Sequence, residues 1–183
     1  DRWQCPDLNL VHLAQLTAGL PKERLIMAGA HGTVCPELVL KEAGALAVIR
    51  GDPMEAIVEL AESRGNPEGI RGLSYYRDHI LINEPDRDRL DLDCLPSPAY
   101  DLVSPEIYGY DLLGPRLAVL GTSRGCPYNC IFCLKAMYGP GRRVKSLDKV
   151  MQEVEMVVSQ WGARHLYFID LEFTLDPDYT IKL

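Results

Sequence analysis

The chain has 183 residues, 47% hydrophobic and 25% charged, with a formal net charge of -7. That is ample apolar matter for one large core or two small ones, and the acidic balance excludes a generally basic nucleic-acid surface. No apolar run approaches the ~18 residues that a membrane helix requires. The first residue is Asp1 and the last are Ile181-Lys182-Leu183, just past a predicted helix start, so the chain reads as an internal piece of something longer.

Taken in order, Leu8 to Leu20 has the apolar spacing of a short amphipathic helix, with Gly19 and Pro21 as stop signals. Leu25 to Ala28 reads as a buried strand, and Ala28 to Thr33 as a small-residue loop. Pro36 opens a helix that runs to about Glu42 and ends at Gly44. Ala45 to Ile49 is the next strand. Asp52-Pro53-Met54-Glu55 resembles a capping box for a helix to Ser63, with Gly65 as C-cap. Short links between alternating helices and strands imply βα units and a mainly parallel sheet, half of a doubly wound domain. Ligands of such sheets sit beyond the carboxyl ends of the strands. The loops Gly29 to Thr33 and Gly51 to Asp52 are therefore either one wall of a binding site or plain chain reversals. Gly29-Ala30-His31-Gly32 is no dinucleotide fingerprint.

Ile70 to Tyr76 and Ile80 to Asn83 read as a hairpin. Glu84 to Pro115, rich in Asp, Arg, Pro and Tyr, reads as an interdomain linker packed along the surface, with Asp86, Arg87, Asp88 and Arg89 as a solvated face. Leu117 to Gly121 is a strand. Ser146 is the N-cap of a helix whose apolar stripe (Leu147, Val150, Met151, Val154, Val157, Val158, Trp161) is core packing, with Gly162 ending it. Leu166 to Ile169 is a second strand, joined to the first by a right-handed crossover. Asp176-Pro177 opens a last helix. The domains are thus 1–83, a linker 84–115, and 116–183.

Between the strand and the helix lies Arg124-Gly125-Cys126-Pro127-Tyr128-Asn129-Cys130-Ile131-Phe132-Cys133, three thiols spaced CxxxCxxC. A four-iron cluster normally takes four thiolates. Three local cysteines leave one iron open to a small molecule, as on a catalytic zinc, and the reading requires their sulfurs to converge on one centre. A zinc knuckle would need a fourth ligand at short spacing, and the next His is His165. Clustered thiols without a secretory signal point to a reducing, cytoplasmic setting rather than to disulfides.

The spacing, with Phe132 just before the third Cys, resembles the signature of the radical S-adenosylmethionine (SAM) enzymes. The wider run from Thr122 to Cys133 resembles the subgroup that carries a cobalamin-binding domain ahead of the radical domain. The resemblance implies a 4Fe-4S cluster on Cys126, Cys130 and Cys133 that binds SAM at its unique iron and cleaves it to a 5'-deoxyadenosyl radical. It implies an α/β fold: the C-terminal part of a Rossmann-like cobalamin-binding domain, then the first βα units of a TIM-type barrel. Ala28, Gly29, Ala30, His31, Gly32 and Gly51 correspond to the wall that lies against the corrin, with His31 no cobalt ligand. The family more often has two glycines at Ala28-Gly29 and an acidic-Gly-Glu run at Asp52 to Glu55.

In that family the loop after the second strand approaches the SAM amino group, which makes Asp170 and Glu172, with Phe132, candidate SAM contacts. Otherwise Asp170 braces the loop and Glu172 faces solvent. Arg142, Arg143 and Lys145 either neutralise cluster or carboxylate charge or, more simply, are exposed. The resemblance implies methylation of an unactivated carbon of a small molecule, with a flavodoxin- or ferredoxin-like electron donor; cyclisation or rearrangement by the same cofactors fits the sequence equally. A methylthiotransferase would place a second cluster on Cys5, Cys35 and Cys94, although isolated cysteines are usually buried hydrophobes. A non-catalytic iron-sulfur or zinc-binding module would need a fourth protein ligand.

Overall fold

The chain partitions into two units in the computed structural model, which describes His12 and residues 15–183. One unit runs to Arg89 and takes in Cys130–Gly139; the other comprises Leu90–Asn129 and Pro140–Leu183. The helix expected over Leu8 to Leu20 lies largely outside the described residues.

The first unit contains β1 (Ile26–Ala28), α1 (Ala30–Val34), α2 (Pro36–Ala43), β2 (Ala47–Ile49), α3 (Met54–Glu62), β3 (Leu73–Arg77) and β4 (Ile80–Asn83). Its sheet has the order β1-β2-β3-β4. Only β1 and β2 are parallel; β2–β3 and β3–β4 are antiparallel. The sheet is therefore mixed, where the βα spacing had suggested a mainly parallel one. Asp78 and His79 have φ of 47° and 65°, the left-handed pair of a two-residue hairpin turn. Such a turn joins only antiparallel neighbours.

Strand β2 is buried on both faces, as its unbroken Ala-Val-Ile run requires. Val48 packs with Val39 and Leu40 of α2, while Ala47 and Ile49 pack with Ala56, Leu60, Leu73 and Tyr75. Burying a Val, Leu or Ile side chain of this set stabilises by roughly 1.5–3 kcal/mol. Two expectations fail. The segment read as a loop is helix α1, because both the backbone N–H and the hydroxyl of Thr33 donate to the Gly29 carbonyl (3.0 and 2.8 Å) and close a helical turn. No side chain caps α3: Pro53 takes the N-cap position and leaves Asp52 one residue too far from the first turn.

Asp86, Asp88 and Arg89 are exposed, as a solvated face requires, whereas Arg87 is half-buried. Arg87 pairs with Glu59 (2.6 Å) and Glu55 (3.3 Å) on α3, Arg50 with Asp86 (2.5 Å) and Arg71 with Asp88 (2.9 Å). Acidic residues on α3 attract Arg87, and Asp86 and Asp88 find arginine partners.

The second unit contains β5 (Gly109–Tyr110), β6 (Gly114–Pro115), β7 (Leu117–Leu120), β8 (Ser123–Cys126), β9 (Gly141–Val144), α4 (Leu147–Ser159), β10 (His165–Phe168) and α5 (Pro177–Lys182). Strands β7 and β10 are parallel, with Ala118 opposite Leu166, and α4 crosses between them. Ala118, Leu120, Val157 and Trp161 form the core. Residues of the expected linker pack onto it: Tyr100 lies 4.9 Å from the Trp161 ring, and the Trp161 indole donates to Val103 O at 2.8 Å. Ser146 caps α4 by accepting from Lys149 N at 3.2 Å. The apolar stripe of α4 is only partly core, since Met151 and Val158 are exposed. Glu153 is buried in their place.

Candidate functional site

Strand β7 ends at Leu120, and the chain turns through Gly121 and Thr122 into β8, an element the sequence reading did not contain. Strand β8 pairs antiparallel with β9, with Gly125 opposite Arg142 and Cys126 opposite Gly141. The first cysteine of the motif is thus the last residue of a paired strand.

The entry to β8 is held from β10. Asp170 follows that strand and accepts hydrogen bonds from Thr122 N (3.0 Å), Thr122 Oγ1 (2.7 Å) and the Ser123 hydroxyl. Arg142 Nε donates to Ser123 Oγ at 3.0 Å, and its buried Nη2 has no hydrogen-bond partner. Thr122 and Ser123 are both buried. Burial pushes the Tyr179 phenol up, against a smaller downward pull from its hydrogen bond with Thr122. Tyr179 also donates to Lys145 O at 2.9 Å. Arg142 and Arg143 are half-buried and Lys145 pairs with buried Glu153, so the three cations are not simply exposed. The antiparallel β8–β9 pairing draws them in.

Beyond Cys126, residues 127–134 are exposed and outside regular structure. Cys130 and Cys133 close a turn through Cys133 N–H to Cys130 O at 3.1 Å. Phe132 is 88% exposed. Glu172 is half-buried and makes no capping bond to the turn Phe173–Leu175 that follows it.

In the first unit, Thr33 Oγ1 accepts from Gly51 N at 2.9 Å and so joins the two loops read as one wall. Gly29 has φ of 121°, and a Cβ there would meet nothing within 4 Å; at Gly51 (φ 76°) a Cβ would lie 3.6 Å from the Met137 carbonyl. The turn Ala136–Tyr138, just past Cys133, therefore packs beside Gly51. Gly32 is buried against Val48, whereas Ala28 and His31 are exposed. Small residues line this wall, with Gly29 open. Thr33 falls within the wall read from the sequence, but Met137 was missed, since its residue type carries no signal of its own.

The donor set fits an iron-sulfur cluster in kind: three thiols in one loop, and Cys35, Cys94, Cys126, Cys130 and Cys133 all outside disulfides. Among the described residues no three His, Cys, Asp or Glu side chains stand together as a metal site, and Cys5 lies outside the described residues. Cys35 and Cys94 are exposed rather than buried: Cys35 is the N-cap of α2, and Cys94 ends the single turn Leu92–Cys94.

No family model matches the chain. It is 35% identical over 165 residues to the protein named uncharacterized methyltransferase PH0819 of Pyrococcus horikoshii, covering 87% of this chain and 36% of that protein. It is 29% identical over 167 residues to the anaerobic magnesium-protoporphyrin IX monomethyl ester cyclase of Cereibacter sphaeroides, covering 86% of this chain and 27% of that one. The fold matches the radical S-adenosylmethionine methyltransferase TsrM of Kitasatospora setae, solved with cobalamin and a [4Fe-4S] cluster, at a TM-score of 0.67 and 19% identity over 94% of this chain and 35% of that chain. The likeness is one of fold. The fold also matches that of the cobalamin-dependent S-adenosylmethionine radical enzyme OxsB, solved with aqua-cobalamin and S-adenosylmethionine, at a TM-score of 0.63 and 16% identity over 94% of this chain and 24% of OxsB. The chain spans about a third of its curated relatives' length or less. Among the described residues no helix is long and apolar enough to cross a membrane.

Proposed function

We propose that this chain is part of a cobalamin-dependent radical SAM methyltransferase acting on an unactivated carbon of a small molecule. The observation that carries the reading is the Cys126, Cys130, Cys133 triad in a chain 35% identical to a protein named as a methyltransferase. Residues to Arg89 would form the cobalamin-binding part and residues from Leu90 the start of the radical SAM part, with Cys130–Gly139 reaching back to the former.

The three thiolates would hold a 4Fe-4S cluster and leave one position for SAM. When bound, the cluster would supply the electron that splits SAM and the cobalamin the methyl group, and the protein's share is binding, orientation and exclusion of water. Strand β8 sets the position of Cys126. The Cys130 to Cys133 turn presents the other two sulfurs, and Phe132, exposed beside Cys133, would cover bound SAM. Glu172 remains a candidate acceptor for the SAM amino group, since its carboxylate caps nothing. Asp170 is already engaged by three donors, which supports a bracing role instead. Ala28, Gly29, Ala30, His31, Gly32 and Gly51 would lie against the corrin, where Gly29 lets the backbone approach a flat ligand. An external flavodoxin- or ferredoxin-like donor would supply the electrons.

Cyclisation is a second reading, favoured by the 29% identical cyclase relative. Anaerobic reconstitution with iron, sulfide and cobalamin, followed by reduction with SAM, tests both. 5'-Deoxyadenosine formation with a retained corrin is expected; zinc in place of iron would overturn the proposal.

A further inference from the structure

We propose that Asp170 is a positioning residue for the first cluster ligand, acting through the Thr122-Ser123 turn rather than touching SAM. The inference rests on the cluster reading above. Its support lies wholly within the second unit.

Between β7 and β8 the chain leaves the parallel pair and enters the ribbon that ends in Cys126, and only Gly121 and Thr122 separate the two strands. The direction in which β8 leaves is therefore set by what fixes those residues. Asp170 fixes this junction three times, through the N–H and hydroxyl of Thr122 and the hydroxyl of Ser123, the first residue of β8. A carboxylate offers about four acceptor sites, so little capacity remains for a further donor. Lys145 N–H donates to Thr122 O at 2.8 Å and holds the same residue from the other side.

Arg142 completes the clamp. Its register partner is Gly125, so the side chain lies on the face of the ribbon that carries Ser123, while Cys126 alternates to the opposite face. Arg142 Nε meets Ser123 Oγ there. The guanidinium thus balances the Asp170 charge across one shared hydroxyl, three residues ahead of Cys126. Hydrogen-bonded groups behind a metal ligand typically change metal retention by about 10–100-fold when removed.

The test uses the protein reconstituted anaerobically with iron and sulfide, comparing Asp170→Asn with Asp176→Ala. The second variant removes the α5 N-cap, where Asp176 accepts from Tyr179 N at 3.0 Å, and controls for lost stability in the same unit. Three readouts are taken: iron retained after gel filtration, the electron paramagnetic resonance spectrum of the reduced cluster without SAM, and SAM affinity by equilibrium dialysis. Asp170→Asn is expected to lose iron about tenfold faster and to alter the SAM-free spectrum, with Asp176→Ala and Asp170→Glu closer to the parent. An unchanged SAM-free spectrum and iron content overturns the inference, and weaker SAM binding alongside that result makes Asp170 a direct SAM contact. If the parent protein takes up no cluster, it is the cluster reading that fails.

Discussion

Lys145 and Glu153 form an ion pair at 2.5 Å in which the carboxylate side chain is only 3% exposed and the ammonium side chain 12%. The pair joins the residue after β9 to the middle of α4, on the same side of the helix as Val150 and Val157. A buried pair offers little net stability, but either charge left alone is costly. Glu153→Gln or Lys145→Met alone is expected to destabilise the second unit by about 3–5 kcal/mol. The double variant Lys145→Met with Glu153→Leu should recover most of that loss. Urea denaturation followed by circular dichroism reads the difference, and additive losses would show that the charges are not coupled.

Gly51 carries φ of 76° beside the Met137 carbonyl, with room for a methyl group at 3.6 Å. The cost of a side chain there is conformational rather than steric, about 1–2 kcal/mol for an ordinary residue in the left-handed region. Gly51→Ala should therefore lower stability by that amount and Gly51→Asn by less. If both variants match the parent in thermal denaturation, the positive φ carries no strain.

Acid should loosen the first unit through two glutamates. The hydrogen bond from Arg87 holds the Glu59 carboxyl below its ordinary value. The backbone N–H of Gly69, and then the Tyr75 hydroxyl, do the same for Glu84. A lowered folded-state value means stability fully present above the ordinary carboxylate range and lost as pH falls through the folded value. Stability should accordingly be level near neutrality and decline below about pH 4.5. Arg87→Met should flatten the part of that decline due to Glu59, read as midpoint against pH.

Much of this arrangement was legible in the sequence, and the misses share a cause. Helix α4 and strands β7 and β10 follow from local periodicity, and the Ser146 and Asp176 caps from residue type at a helix start. Strands β8 and β9 were missed because Ser-Arg-Gly-Cys and Gly-Arg-Arg-Val have no apolar alternation; their pairing depends on partners fifteen or more residues apart. The antiparallel join of β3 to β2 is likewise a long-range choice. The cysteine spacing was legible because ligand chemistry acts locally, whereas the role of Asp170 depends on Thr122 and Ser123, 48 and 47 residues away.

The most direct test of the central claim is electron paramagnetic resonance of the reduced, reconstituted protein with and without SAM, beside a variant with Cys126, Cys130 and Cys133 all changed to Ala. A four-iron signal that shifts on adding SAM, and is absent from the variant, is the expected result. A signal indifferent to SAM, or iron retained by the variant, would contradict the account.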